Sequence, residues 1–150
     1  MIAEALPLNP IARWEWVFPV VESVHICGFT LLAGSATLIN LRLLGVCLRR
    51  QRISEVAAGL APWMWSGLAV QIATGAFLFS GDPGEYLQVA AFRNKMLLII
   101  IAALFQFLVV RRATALGREQ APAGSDGLIA LISLALWSAV LLAGMWIGNL

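Results

Sequence analysis

The chain has 150 residues, of which 61% are hydrophobic and only 12% charged, with a mean hydropathy of +0.87. A soluble domain carries roughly 25% charged residues, so the composition excludes an ordinary soluble fold and leaves room for a single membrane domain. A net charge of +2 is too small to point to nucleic acid, and the expected partner is the lipid bilayer.

Glu4 precedes the first cation, Arg13, and no basic region leads an early apolar run. The start therefore does not read as a cleavable signal peptide, and the first span is expected to stay in place as its own insertion signal. Asn9-Pro10 reads as the N-cap and first residue of a short helix. Trp14, Trp16 and Phe18 alternate with Arg13 and Glu15, a mixture that fits an interfacial segment. Pro19 is expected to mark the bend into the first span.

That span is expected over about 20–44, its helix continuing to about residue 48. The second is expected over about 54–79, with Ser54 as N-cap and Pro62 kinking its interior. Gly81-Asp82-Pro83-Gly84 reads as a turn. The third span is expected over about 87–110, ended by Arg111-Arg112, and the fourth over about 127–148 after a polar loop. Short connections favour antiparallel neighbours. The expected fold is therefore an all-α, up-down four-helix membrane bundle with a short N-terminal interfacial helix. Gly28, Ala33, Gly34, Ser35 and Ala36 on the first span, and Gly67, Ala69, Ala73, Thr74, Gly75 and Ala76 on the second, would let those helices approach closely.

Arg49, Arg50 and Arg52 lie between spans one and two, and Arg111, Arg112 and Arg118 between spans three and four. The positive-inside rule puts both loops in the cytoplasm and both termini outside. Cys27 and Cys47 are both expected on the first helix. Twenty residues of helix span roughly 30 Å, too far for a disulfide, so they read as small buried apolar residues.

Polar groups inside a membrane are costly and are functional candidates by default. Here they are Glu22, His25, Asn40, Arg42, Gln71, Lys95 and Gln106. His25 is the only histidine, and Glu22, three residues earlier, shares its helix face. A carboxylate there would fix the imidazole tautomer or raise its pKa. His25 reads equally well as a metal or haem ligand, as a proton-handling group, or as a structural residue bonded to Ser23, Gln71 or a carbonyl. Lys95 either snorkels to the headgroups or meets an anion such as a propionate or a substrate carboxylate. By depth alone, Glu22, His25, Gln71 and Lys95 could converge on one pocket in the outer half. Arg42 either snorkels to the cytoplasmic surface or is held by carbonyls freed at Pro62. Trp14, Trp16 and Trp146 suit the outer interface. Trp63, Trp65 and Trp137 sit deeper, where lipid contact and packing compete with flanking a macrocycle. The sequence has no glycine-rich phosphate loop, CxxC, HExxH or acidic cluster, which argues against nucleotide chemistry and soluble-type hydrolysis. Haem through His25 alone, or with Met145, Lys95 or a residue of another subunit as second ligand, stays open.

Pro19-Val-Val-Glu-Ser-Val-His-Ile-Cys-Gly-Phe through Asn40-Leu-Arg-Leu-Leu-Gly45 resembles an uncharacterised bacterial family of four-span membrane proteins. The resemblance extends over Pro62, Thr74-Gly75 and Lys95, and departs where that family often has aspartate in place of Asn40. The order His25, Arg42, Pro62, Gly75, Lys95 is more distantly similar to HemJ-type protoporphyrinogen oxidases, and beyond them to CopD-like copper proteins. The HemJ resemblance implies haem b on His25 with Lys95 assisting, in a bacterial inner membrane.

Three functions follow as expectations. The first is a haem b redox protein with its site at the outer level, formed by His25, Glu22, Gln71 and Lys95, and with Arg42 as a further contact. The second is a non-enzymatic subunit of a membrane complex or homo-oligomer. The third, a copper or solute carrier, ranks last. Cys27 lies two residues from His25 and so about 200° round the helix, poorly placed to share an ion.

Overall fold

The computed structural model describes residues 15–115 and 124–147. They form α1 (Val17–Leu43), α2 (Ile53–Phe79), α3 (Pro83–Gln88), α4 (Ala90–Ala115) and α5 (Gly124–Ile147). Among the described residues, α1, α2, α4 and α5 are long and apolar enough to cross a membrane, and the fold is an all-α four-helix bundle. At 1.5 Å per residue, a helix of this length outreaches a hydrocarbon core of roughly 30 Å and accommodates tilt. Helices satisfy this composition because hydrocarbon offers the backbone no other partner. The expected interfacial helix after Asn9-Pro10 lies outside the described residues, as do Trp14 and the Trp146 side chain.

The helices form a ring. α1 packs most extensively on α2, and α4 on α5; α2–α4 and α1–α5 contacts close the ring, and the α1–α4 diagonal touches little. Two glycines set the α1–α2 approach. A Cβ on Gly67 would lie 2.7 Å from Leu32 N and 2.9 Å from Gly28 O, and one on Gly28 would lie 2.7 Å from Val70 Cγ1. Without a hydrophobic force between helices in lipid, this close backbone packing is what holds the pair. Leu32, Ala36, Ile39, Met64, Ala102, Val109, Trp137 and Val140 fill the interior. Leu104, Leu108, Leu128 and Leu142 face outward, as lipid contact requires.

Several boundaries differ from the sequence reading. α1 begins at Val17 and contains Pro19 in its first turn, where a missing N–H costs no hydrogen bond, so Pro19 makes no bend. α1 stops at Leu43, because Gly45 turns to φ 70° and Leu48 to φ 53°. Cys47 thus lies beyond the helix, and Cys27 is exposed rather than buried; both are free thiols. Arg52, not Ser54, is the N-cap of α2, and the helix runs unbroken through Pro62. α4 continues past Arg111 and Arg112 to Ala115, and α5 begins at Gly124.

The turn at Gly81-Asp82-Pro83-Gly84 opens a short helix, α3. Asp82 Oδ1 accepts the Glu85 N–H at 3.0 Å and Pro83 takes the first helical position. Phe79 stacks on Phe92 at 5.6 Å, and Tyr86 closes on Phe92 at 5.4 Å, pinning α3 across the end of α2 and α4. Burial pushes the Tyr86 phenol above its ordinary value, helped by the carboxylates of Glu85, Glu22 and Asp82. The bundle thus has an α3 end and, opposite, an arginine end formed by the α1–α2 connection and the C-terminus of α4.

Candidate functional site

His25 sits on α1, half-buried against α2. Its Nδ1 lies 2.7 Å from Thr74 Oγ1, and Thr74 Oγ1 lies 2.6 Å from the Val70 carbonyl. These two distances fix the tautomer. A carbonyl can only accept, so the single hydroxyl proton of Thr74 goes to Val70 O. The Thr74 oxygen must then accept, and His25 Nδ1 carries the proton. The neutral imidazole is left with its lone pair on Nε2, which has no hydrogen-bond partner among the described residues. This is the arrangement by which a donor-side hydrogen bond orients a metal-ligating histidine.

Gly75 makes room for the ring. A Cβ there would meet His25 Cε1 at 3.3 Å, so any side chain at this position would press on the imidazole. Gln71 does not reach the ring. Its Nε2 donates to the His25 backbone carbonyl at 2.5 Å, which ties α1 to α2 one turn from Thr74. Glu22 does not pair with His25 either. It is exposed, and its charge is felt at Tyr86, towards the α3 end.

Lys95 does belong to the His25 level. It is half-buried on α4, five residues from the helix start at the α3 end, as His25 is eight residues from the start of α1. Its Cε and Nζ lie 3.6 Å from where a Gly144 Cβ would stand, so the side chain lies over α5 at a position kept clear by glycine. Among the described residues the ammonium has no hydrogen bond or carboxylate partner. The depth argument thus brings His25 and Lys95 to one level, while Gln71 acts on backbone and Glu22 stays outside.

Arg42 is far from this level. It is 4% exposed and donates from Nε at 2.9 Å and from Nη2 at 2.7 Å to the Gln51 carbonyl. It is a buried pin held by a carbonyl, but the carbonyl belongs to the α1–α2 connection rather than to a break at Pro62, which lies exposed on α2.

Between the two levels lies a polar cluster that sequence reasoning only half found. Asn40 Nδ2 donates to Ser133 Oγ at 2.9 Å and to Gln106 Oε1 at 3.3 Å; Ser133 Oγ donates to Gln106 Oε1 at 2.6 Å, and Trp137 Nε1 donates to the same oxygen at 3.3 Å. Donors from two helices, α1 and α5, thus converge on one carbonyl oxygen of a third, α4. Turning the Gln106 amide would set its NH2 against the Trp137 indole N–H, which can only donate, so that contact favours the orientation seen. Asn40 Oδ1 and Gln106 Nε2 are buried without partners among the described residues. Asn40 therefore serves the interior and, among the described residues, makes no hydrogen bond to Arg42's guanidinium. Trp137 is a hydrogen-bond donor here, Trp65 tilts against Phe107 at 6.1 Å, and Trp63 is exposed on α2.

Sequence reasoning missed Thr74 as the histidine's partner and read it only as a small residue. The signal was present: Thr74 follows Gln71 by three residues and shares its face. Ser133 and Trp137, one turn apart on α5, were likewise legible as a polar stripe. Among the described residues no group of three or more His, Cys, Asp or Glu side chains could hold a metal ion.

No curated protein matches the chain. No solved structure matches it. Residues 16–150, which take in all the helices and both polar levels, match the model of a family described as of unknown function, DUF6644, and the protein belongs to that family.

Proposed function

We propose that this is a multi-pass protein of a bacterial cytoplasmic membrane, with both termini outside, that binds haem b through Nε2 of His25 and works in electron transfer or in oxidation of a porphyrin-like or quinone-like substrate. One observation carries the reading: Thr74 holds the imidazole as the Nδ1–H tautomer, so the ligating nitrogen keeps its lone pair. The residues fit a single protein ligand: His25 would hold the group through Nε2. When bound, haem supplies one-electron chemistry at its iron. The chain's own residues would do the positioning. Thr74 sets ring orientation, Gln71 locks α1 to α2, and Lys95 offers a positive charge for a carboxylate such as a propionate. The order His25, Arg42, Pro62, Gly75, Lys95, similar to that of HemJ-type proteins, adds support. Arg49, Arg50, Arg52, Arg111 and Arg112 at one end, against Asp82 and Glu85 at the other, support the orientation.

The test is an absorption spectrum of protein purified from haem-replete cells. A Soret band that His25→Ala removes, with one haem per chain by pyridine haemochrome, is expected. A colourless protein that also fails to take up added haemin sinks the reading.

A second reading, a subunit of a membrane complex or homo-oligomer, draws on Pro62, Ser66, Ala69, Ala73 and Ala76. They lie exposed on α2 at spacings of three and four, the pattern by which membrane helices associate. Cross-linking in native membranes that yields a stoichiometric partner would favour it, and a monomer throughout would oppose it.

A further inference from the structure

The α1–α2 connection is more built than a linker needs to be. Gly45 and Leu48 take left-handed backbone angles, which for leucine costs free energy. From beneath, the buried guanidinium of Arg42 clamps the Gln51 carbonyl with two N–H groups. From above, Arg49 Nε donates to the Gly45 carbonyl. The clamped loop presents a half-open recess of about 180 Å³ lined by Arg49, Arg50, Gln51 and Arg52.

The charge of this recess is out of balance. Arg49, Arg50 and Arg52 line it, the Arg42 guanidinium is bonded to the carbonyl of its fourth lining residue, Gln51, and α2 opens there with its positive dipole end. Glu55 stands 4.0 Å from Arg52, with both side chains exposed, a pairing that contributes little. Arg42 is buried with no carboxylate partner among the described residues, a costly state for a cation. Arg50 makes no hydrogen bond or ion pair among the described residues. Guanidinium groups on a fixed backbone suit the oxygens of a phosphate.

We propose that this recess docks the phosphate headgroup of an anionic membrane lipid. Two observations select a lipid over a free phosphate. The loop joins the ends of two spans, so it lies at headgroup depth. Val46 and Leu48, 63% and 39% exposed, flank the arginines and give acyl chains an apolar contact beside the charge. The size agrees: sites for drug-sized ligands run to roughly 300–1,000 Å³, whereas this recess holds a phosphate and little more.

The experiment is native mass spectrometry of the purified full chain titrated with phosphatidylglycerol or phosphatidylcholine. Each arginine near an anionic headgroup is worth about fivefold in binding. Wild type should bind phosphatidylglycerol at least about tenfold more tightly than phosphatidylcholine, and Arg49→Gln with Arg50→Gln should lose about 25-fold of that binding. Arg111→Gln is the control, an exposed cation at the same end that stacks 5.7 Å over Phe107; it should bind as wild type does. Arg50→Gln alone, which breaks no contact, should lose about fivefold with unchanged melting, and it decides the matter if the double variant does not fold. Equal binding of the two lipids, an equal loss in Arg111→Gln, or displacement of the lipid by equimolar glycerol phosphate would each overturn the proposal.

Discussion

Gly67→Ala is expected to destabilise the bundle by wedging α1 from α2. The added methyl would stand 2.7 Å from Leu32 N, 2.9 Å from Gly28 O and 3.1 Å from Leu32 Cα. All three atoms are backbone, so no side chain can rotate away, and the helices must separate by several tenths of an ångström. Overpacking of this kind costs about 1–3 kcal/mol, and the backbone nature of the clash places Gly67→Ala near the upper part of that range. Gly28→Ala meets Val70 Cγ1 at 2.7 Å. A β-branched side chain in a helix has little rotamer freedom, so it should rank second. Gly59, with nothing within 4 Å, is the control. Gly59→Ala should be neutral or stabilising by up to about 1 kcal/mol, because glycine is a poor helix former. Thermal or SDS-induced unfolding in detergent measures all three. Equal stability of Gly67→Ala and Gly59→Ala would refute the close-packed α1–α2 interface.

Gln106→Leu should cost about 1–3 kcal/mol, since it removes the one acceptor shared by Asn40, Ser133 and Trp137. Asn40→Leu should cost less in the same unfolding assay, because each variant removes one unpartnered polar atom but Asn40→Leu leaves the Ser133 and Trp137 bonds to Gln106 in place; the reverse order would contradict the network. Tyr86 is the only tyrosine, so ultraviolet titration reads it directly, with a midpoint expected above the ordinary value of about 10. A phenol that holds its proton more tightly when folded adds stability below the unfolded pKa, and that stability is lost as pH rises through the folded pKa. Tyr86→Phe should lack this alkaline loss, and an ordinary midpoint would contradict the packing of α3.

The four spans were legible because hydrocarbon forces long apolar helices, and nothing else satisfies their backbones. Gly28 and Gly67 were legible as contact residues by size. Their partners were not, since size says nothing about facing direction. The same limit governs the polar residues. Depth alone grouped His25 with Lys95, Glu22 and Gln71, yet Glu22 is exposed and Gln71 binds the His25 backbone carbonyl. Arg42 read as a choice between snorkelling and a carbonyl pin. The deciding atom, Gln51 O, became available only because Gly45 and Leu48 reverse the chain, and a non-glycine left-handed residue such as Leu48 has no sequence signature. α3 was hidden inside a correctly read turn, because Asp82 and Pro83 serve a turn and a helix start equally well.

His25 is the only histidine of the chain, so ¹⁵N NMR of haem-free protein reports its tautomer without assignment. The hydrogen bonds of Thr74 require a protonated, pyrrole-like Nδ1 and a pyridine-like Nε2 in a single species, with Thr74→Val releasing the ring to a mixture. A protonated Nε2 in the wild type, or a mixture already present there, would contradict the site as described.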